Sequence, residues 1–256
     1  MIESFLSNMV PLFKSHYSIG KSILRLDLKS FEKENSNNIF YIAKKHNLKN
    51  IVLLEDSMTG FLEAFNNSQK LGFNLIFGLR LNICQDNKIE STNQSSKILV
   101  FSKNAKGCKD LSTLYSKYNC DLSQCLDLQS LSELLTKNLY ISIPFYDSFL
   151  YYNYFYFNSL VLDFKQYKPT FFIENNNLPF DSLLESVVLN YCKKNDFDHF
   201  SCKSIFYNSR SDFRAYQTYK CICGRSFSSR NATIENPRLD HCASDDFSFE
   251  SYFALF

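Results

Sequence analysis

Short apolar runs alternate along the chain with longer stretches whose apolar residues recur at helical spacing. This alternation predicts β/α units rather than an all-α or all-β protein. The run PLFKSHYSI (11–19) predicts a first strand and its exit loop. NNIFYIAKKHNL (37–48) carries a helical stripe at 39, 42, 43 and 48, and IVLL (51–54) is a short buried strand ending at Glu55-Asp56. TGFLEAFNNSQKLG (59–72) predicts a helix with Thr59 as N-cap and Gly72 as its stop, followed by the strand NLIFGLRL (74–81). A polar loop (85–96) precedes the strand KILVFS (97–102), a helix over 105–118, a second amphipathic helix over 126–137 and the strand LYISI (139–143).

Further on, a strand begins at Pro169, a turn follows at NNNLP, and 180–194 is a strongly periodic helix. KSIFY (203–207) is the last predicted strand, and SDFRAYQTYKCICG (211–224) a helix ending at Gly224. Beyond Ser226 the periodicity is lost. Strands separated by helices imply parallel pairing, because parallel neighbours need long crossovers. With no internal repeat and no Pro- or Gly-rich linker, the pattern predicts one α/β domain over 1–225 and an irregular tail over 226–256.

The composition is that of an ordinary globular chain: 256 residues, 45% hydrophobic and 21% charged. That length is enough to bury a core without disulfides or structural metal. A net charge of +2 supplies no global field toward nucleic acid or membrane. Locally, Lys203, Arg210, Arg214, Lys220, Arg225 and Arg230 gather between 201 and 230, and Asp240, Asp245, Asp246 and Glu250 follow. Two solvated patches that pair with each other account for this distribution; a docking surface for nucleic acid or a partner is the sharper alternative.

Nine cysteines are an odd number without framework spacing, and the N-terminus lacks a basic leader, so the thiols read as reduced and the chain as cytoplasmic. No window reaches the ~18 apolar residues of a membrane span. The aromatic run at 149–157 reads as a buried or interface segment, and the acidic aromatic end from Asp245 suits packing onto something else.

Several weaker signals stand beside these. Gly20-Lys21-Ser22 mimics the end of a phosphate-binding loop, but Ser15 stands where the loop's first glycine belongs. Cys221-x-Cys223 with His241-Cys242 does not have the usual zinc spacing, and nothing singles out one thiol as a nucleophile. His46 and His199 need no more than surface roles.

The order of the pieces resembles the PHP domain of the bacterial and phage DNA polymerase III alpha-subunit family. Leu12-Phe-Lys14-Ser-His16-Tyr17-Ser18 stands where that family has a strand ending in His-x-His and then Tyr-Ser. Leu54-Glu55-Asp56-Ser57-Met58 followed by Thr59-Gly60-Phe-Leu-Glu63-Ala-Phe65 resembles Thr-Asp-His-Gly and the next helix. Leu75-Ile-Phe-Gly78-Leu-Arg80 resembles the strand ending Ile-Gly-x-Glu. The run from Val100 through Asn104 and Gly107 to Leu111 resembles a strand and helix start, and Ile205-Phe206-Tyr207 with Asp212 to Cys221 resembles the late Val-His-Tyr strand and its helix. The resemblance covers residues 11–225 through several short motifs in one order.

It implies a distorted parallel (β/α) barrel of PHP (polymerase and histidinol phosphatase) type. The family holds a metal cluster at strand ends for phosphoester hydrolysis, where metals acidify a bound water and neutralise developing charge. Matched position by position, its first two histidines fall on Leu12 and Lys14, its glutamate on Arg80 and its late histidine on Phe206. Leu and Phe cannot ligate, and Lys and Arg place cations where metals belong. Glu55 or Asp56 matches the family's aspartate. One reading keeps a residual metal site from His16, Glu55 and Asp56; the other has both acids paired with Lys14 and Arg80.

The resemblance therefore implies a non-catalytic scaffold for DNA replication, with no cofactor and with a DNA polymerase core, on the same or a separate chain, as partner, in a bacterial cell or phage-infected host. The tail would form the junction to that core. The alternative is a metal-dependent phosphoesterase or 3′–5′ exonuclease with a rebuilt site using Mn or Zn. A third reading, a nucleic-acid-binding module, rests on the basic cluster and predicts binding that weakens steeply with salt.

Overall fold

The computed structural model describes residues 9–31, 37–86, 94–120, 124–224 and 243–255. Among the described residues, seven strands follow one another in chain order around a closed barrel. They are β1 (Val10–Phe13), β2 (Asn50–Glu55), β3 (Asn74–Cys84), β4 (Ser95–Ser102), β5 (Leu139–Ile143), β6 (Thr170–Ile173) and β7 (His199–Ile205). β1 pairs in parallel with β2 and β7, and β6 in parallel with β5 and β7. β4 is antiparallel to both β3 and β5, which corrects the expectation of a parallel barrel to a mixed one. The chain between Cys84 and Ser95 is shorter than the dozen or so residues a helical crossover requires, so β4 returns as the second arm of a hairpin. No family type follows from the barrel alone.

By contacts the chain divides into two compact units. The first comprises Met1–Met9, Phe77–Glu174 and Ser182–Ser201. Most of β3, all of β4, β5 and β6, and the start of β7 lie here, with helices α4 (Ala105–Cys120), α5 (Leu128–Leu134), α6 (Phe149–Phe155) and nearly all of α7 (Asp181–Asn195). Gly78 is required where β3 faces β4, because a Cβ there would meet the Phe101 ring at 2.4 Å. The aromatic run at 149–157 becomes α6, capped by Ser148, with Phe149, Leu150 and Tyr151 buried and Tyr154, Tyr156 and Phe157 exposed. Phe149, Phe164, Phe171, Tyr191 and Phe197 form one cluster of rings.

The second unit comprises Val10–Ile76, Asn175–Asp181 and Cys202–Phe256. It holds β1, β2 and the end of β7, with α1 (Leu28–Phe31), α2 (Ile39–Lys45), α3 (Phe61–Leu71), α8 (Phe213–Cys223) and α9 (Phe249–Phe253). β2 is buried along both faces from Ile51 to Glu55, as a parallel strand covered on two sides must be. Asn38 starts α2 by accepting from the Phe40 and Tyr41 amides while its own amide donates to the Asp27 carbonyl and the Ser30 hydroxyl.

α3 ends at Gly72 in the left-handed region (φ 77°), as its sequence predicts, but its N-cap is Gly60 rather than Thr59. A side chain at Gly60 would run into the Tyr17 ring, and the Tyr17 hydroxyl donates to Glu63 one turn into α3. Contact with the β1 exit loop therefore sets where this helix begins.

The described part of the last segment, 243–255, packs within this unit. Phe247, Phe249 and Tyr252 are buried within this unit, leaving Phe253 and Leu255 exposed. Residues 247–250 run beside the end of β7: the Phe206 amide donates to the Phe247 carbonyl, and the Phe249 amide to the Tyr207 carbonyl. Among the described residues, no helix is long and apolar enough to cross a membrane.

Candidate site at the ends of strands β1 and β2

Strand register builds the site. Leu12 pairs with Val52 and Phe13 with Leu53, so the two chains leave the sheet together, and Ser15 comes level with Glu55. The Ser15 amide donates to Glu55 Oε1 at 2.8 Å, and the Ser18 hydroxyl donates to Oε2 at 2.5 Å. Ser18 Oγ in turn accepts from the Asp56 amide at 3.1 Å, so one hydroxyl joins the Glu55 carboxylate to the backbone of Asp56. Glu55 is fully buried. Burial pushes its carboxyl above the usual carboxylate range, opposed by the Ser15 and Ser18 hydrogen bonds and by the Lys14 charge.

Lys14, only 3% exposed, turns its ammonium onto Asp56, 3.1 Å from Oδ1 and 3.2 Å from Oδ2. Lys21 reaches the same carboxylate from solvent at 3.2 Å. The lysine of the apparent phosphate-binding loop thus holds an acid, while Ser22 donates to the Phe206 carbonyl. His16 turns its Nδ1 to the Leu24 carbonyl at 3.3 Å, and its ring lies against Tyr17. Among the described residues, no three His, Cys, Asp or Glu side chains converge as a metal-ligand set.

The other ligand-equivalent positions are filled in ways that suit their chemistry. Leu12 is buried in the sheet between Val52 and Ser204. Phe206 stacks on two rings, Phe247 at 5.2 Å and nearly parallel to it, and Tyr216 at 5.8 Å. Arg80, in the first unit, pairs with Asp147 at 2.5 Å, which corrects the expected pairing with Glu55 or Asp56. Asp147 sits in the loop after β5 with φ 62°, a conformation Asp tolerates better than most residues, and also accepts from the Tyr152 hydroxyl. Burial and the Asp147 charge both push that phenol above its usual range.

The basic cluster resolves into unlike parts. Lys203 is 2% exposed and its ammonium donates to the Asn175 carbonyl, so it belongs to the interior and not to a surface patch. Arg210 pairs with Asp246 at 2.6 Å, and its amide donates to Glu250, which also accepts from the Ser209 hydroxyl. Those bonds hold the Glu250 carboxyl below its usual range. Arg210 thus joins the basic cluster to Asp246 and Glu250 of the acidic end. Arg214 is exposed and Lys220 half-buried on α8, while Arg225, Arg230, His241 and Cys242 lie outside the described residues. Among the thiols, burial pushes Cys192 up to about 11, which suits core packing and not nucleophilic attack.

The sequence singles out Lys14, Glu55 and Asp56 but not Ser15, Ser18 or Asp147. Serines after a strand are common, and only the β1–β2 register gives these two a partner. Asp147 had no signal beyond following a strand.

No protein-family model matches the chain, and no curated protein matches it. Among solved structures it is similar to a protein of Bifidobacterium adolescentis provisionally named a metal-dependent phosphoesterase. The match has 14% identity and a TM-score of 0.28, and it spans 44% of this chain and 34% of that protein. A likeness of that extent carries no argument about activity.

Proposed function

We propose that this chain is a PHP-type domain without hydrolase activity of its own, a scaffold supporting a replicative polymerase of the DNA polymerase III alpha kind. One observation carries the reading: where the resemblance places a metal cluster, the chain puts a buried ammonium on Asp56 and ties Glu55 to Ser15 and Ser18. A divalent cation would have to displace Lys14 from a carboxylate it holds through both oxygens. The residues present do not fit the family's metals, and no hydrolytic step is assigned to them.

The support is steric as well as electrostatic. Leu12 and Phe206 offer hydrocarbon at two further ligand positions, and Phe206 is covered by Phe247 of the same unit. A domain whose catalytic positions have become core retains a surface and a shape, which is what a scaffold uses.

The deciding experiment is elemental analysis of the purified protein together with Mn²⁺ and Zn²⁺ titration and an assay on a phosphodiester substrate. Absence of stoichiometric metal and of metal-dependent turnover supports the scaffold. Stoichiometric metal that is lost in Glu55→Ala or Asp56→Ala, with chelator-sensitive hydrolysis, would establish the phosphoesterase alternative in its place. Gel filtration with a polymerase III alpha core lacking its own PHP domain tests the partner: co-elution supports the assignment, and separate peaks at micromolar concentrations count against it.

A further inference from the structure

The core of the first unit absorbs only part of the aromatic run that follows Ser148. Phe149, Leu150 and Tyr151 are buried, whereas Tyr154 is 46% exposed, Tyr156 60%, Phe157 90% and, a few residues on, Val161 70%. The Asn153 side chain makes these four one feature. Its amide donates to the Leu160 carbonyl at 2.8 Å and its oxygen accepts from the Leu160 amide at 3.0 Å, which folds 157–161 back against the end of α6. Apolar side chains grouped in this way on a surface mark an interface.

Phe157 stands there against its backbone preference. α6 ends at Tyr156, and Phe157 follows with φ 54°, in the left-handed region where helices use glycine. A bulky residue is disfavoured in that conformation. The ring, the most exposed of the four, brings the fold little burial, and glycine would suit the backbone better.

Charge and area select the occupant. From Ser148 to Leu162 the sequence has no Asp, Glu, Lys, Arg or His, and the residues on either side are Asp147 and Asp163. A nucleic acid or an anionic lipid surface would find no cation on this stretch. A second copy of the stretch meets no like charge within it. Two-fold symmetry asks only that the patch complement itself, which aromatic rings do by offset or edge-to-face stacking. At ~200 Å² for a fully exposed aromatic side chain, the four offer about 500 Å² per copy and on the order of 1,000 Å² in a pair, the lower bound for a specific interface.

We propose that the chain self-associates through this surface as a two-fold dimer, with Phe157 of each copy packed against Tyr154, Tyr156 and Val161 of the other. The dimer goes beyond the proposed function and neither requires nor excludes the scaffold role.

Sedimentation velocity and light scattering on the full chain test it, from sub-micromolar concentration to about 100 µM. The mass is expected to move from 29.9 kDa toward twice that value in the micromolar range, as suits an interface of this size. Phe157→Gly weakens dimerisation by about 30-fold or more, the scale of losing a central anchor. Its Tm, measured where the wild type is monomeric, stays the same or rises, because glycine accepts the left-handed conformation. A ring with only a structural role would give a lower Tm and an unchanged dimer. Val161→Asp, which sets a charge into each half of the contact, also weakens the dimer and leaves the monomer's Tm unchanged.

A wild type that stays monomeric throughout that range overturns the proposal. So does a dimer that survives both Phe157→Gly and Val161→Asp, since its interface would lie elsewhere. Binding of oligo(dT) or of phosphatidylcholine vesicles that Phe157→Gly abolishes, in a chain that remains monomeric, would give the surface to nucleic acid or to membrane in place of a second copy. None of these results alters metal content or turnover, so failure here is separable from failure of the scaffold reading.

Discussion

At the scale of single residues, the chemistry of the strand ends turns on Glu55. Burial raises its carboxyl above the ordinary value, so the folded state holds the proton more tightly than the unfolded chain does. Its stabilising contribution is complete below the unfolded carboxylate range and is lost as pH rises through the folded value. We therefore expect the urea midpoint of Glu55→Gln to gain on the wild type as pH rises from about 4 to 7. Parallel midpoints across that window would show that the Ser15, Ser18 and Lys14 contacts cancel the effect of burial. Ser18→Ala tests the bridge itself. It removes the hydroxyl shared by Glu55 and the Asp56 amide and is expected to cost about 1–3 kcal/mol in urea denaturation. A loss below about 0.5 kcal/mol would place Ser18 among ordinary surface substitutions.

At the scale of elements, the helices depend on single polar contacts. Asn38 is buried and joins α1 to α2 through its amide and caps α2 through its oxygen. Asn38→Ala is expected to destabilise by about 2–3 kcal/mol, more than a solvent-exposed cap loses, because donors and acceptors are stranded together. Asn38→Asp keeps the acceptor and recovers part of the loss, which separates the cap from the amide's own bonds.

The end of α2 meets α9 through His46, whose ring lies 4.8 Å from Phe249 and 4.5 Å from Phe253. Burial and the Lys45 charge both lower its pKa. The folded state thus favours the neutral imidazole, and stability present above the unfolded value of 6.5 is lost as pH falls through it. His46→Phe is expected to flatten the dependence of Tm on pH between about 7 and 5. An unchanged slope would assign that dependence to other groups.

At the scale of the whole molecule, the last segment changes the reading most. An acidic, aromatic end looks like an interface, yet Phe247 and Phe249 are almost fully buried in their own unit, with Phe247 stacked on Phe206. Phe247→Ala is expected to cost about 3–5 kcal/mol, the range for a large aromatic removed from a core. A loss near zero, with unchanged amide exchange over 206–210, would return the segment to the role of a partner-binding tail. The basic cluster is likewise smaller than its sequence suggests, with Lys203 buried and Arg210 engaged by Asp246.

The sequence by itself determined the strands, the helices α2 to α5, α7 and α8, and their order, but not α1, α6 or α9. Apolar periodicity located β2, β5, α3 and α7 nearly to the residue, because each buries a face whose period is written in adjacent positions. It also determined that Leu12, Lys14, Arg80 and Phe206 are not a metal-ligand set, since that follows from side-chain chemistry alone. Only the tertiary structure decided the reversed direction of β4, the pairing of Arg80 with Asp147, the burial of Lys203 and the covering of Phe206 by Phe247. Each of these joins residues far apart in the chain. A local pattern says which face of an element is apolar, but the counter-ion or ring that reaches that face is set by strand register and by where the connecting loops return.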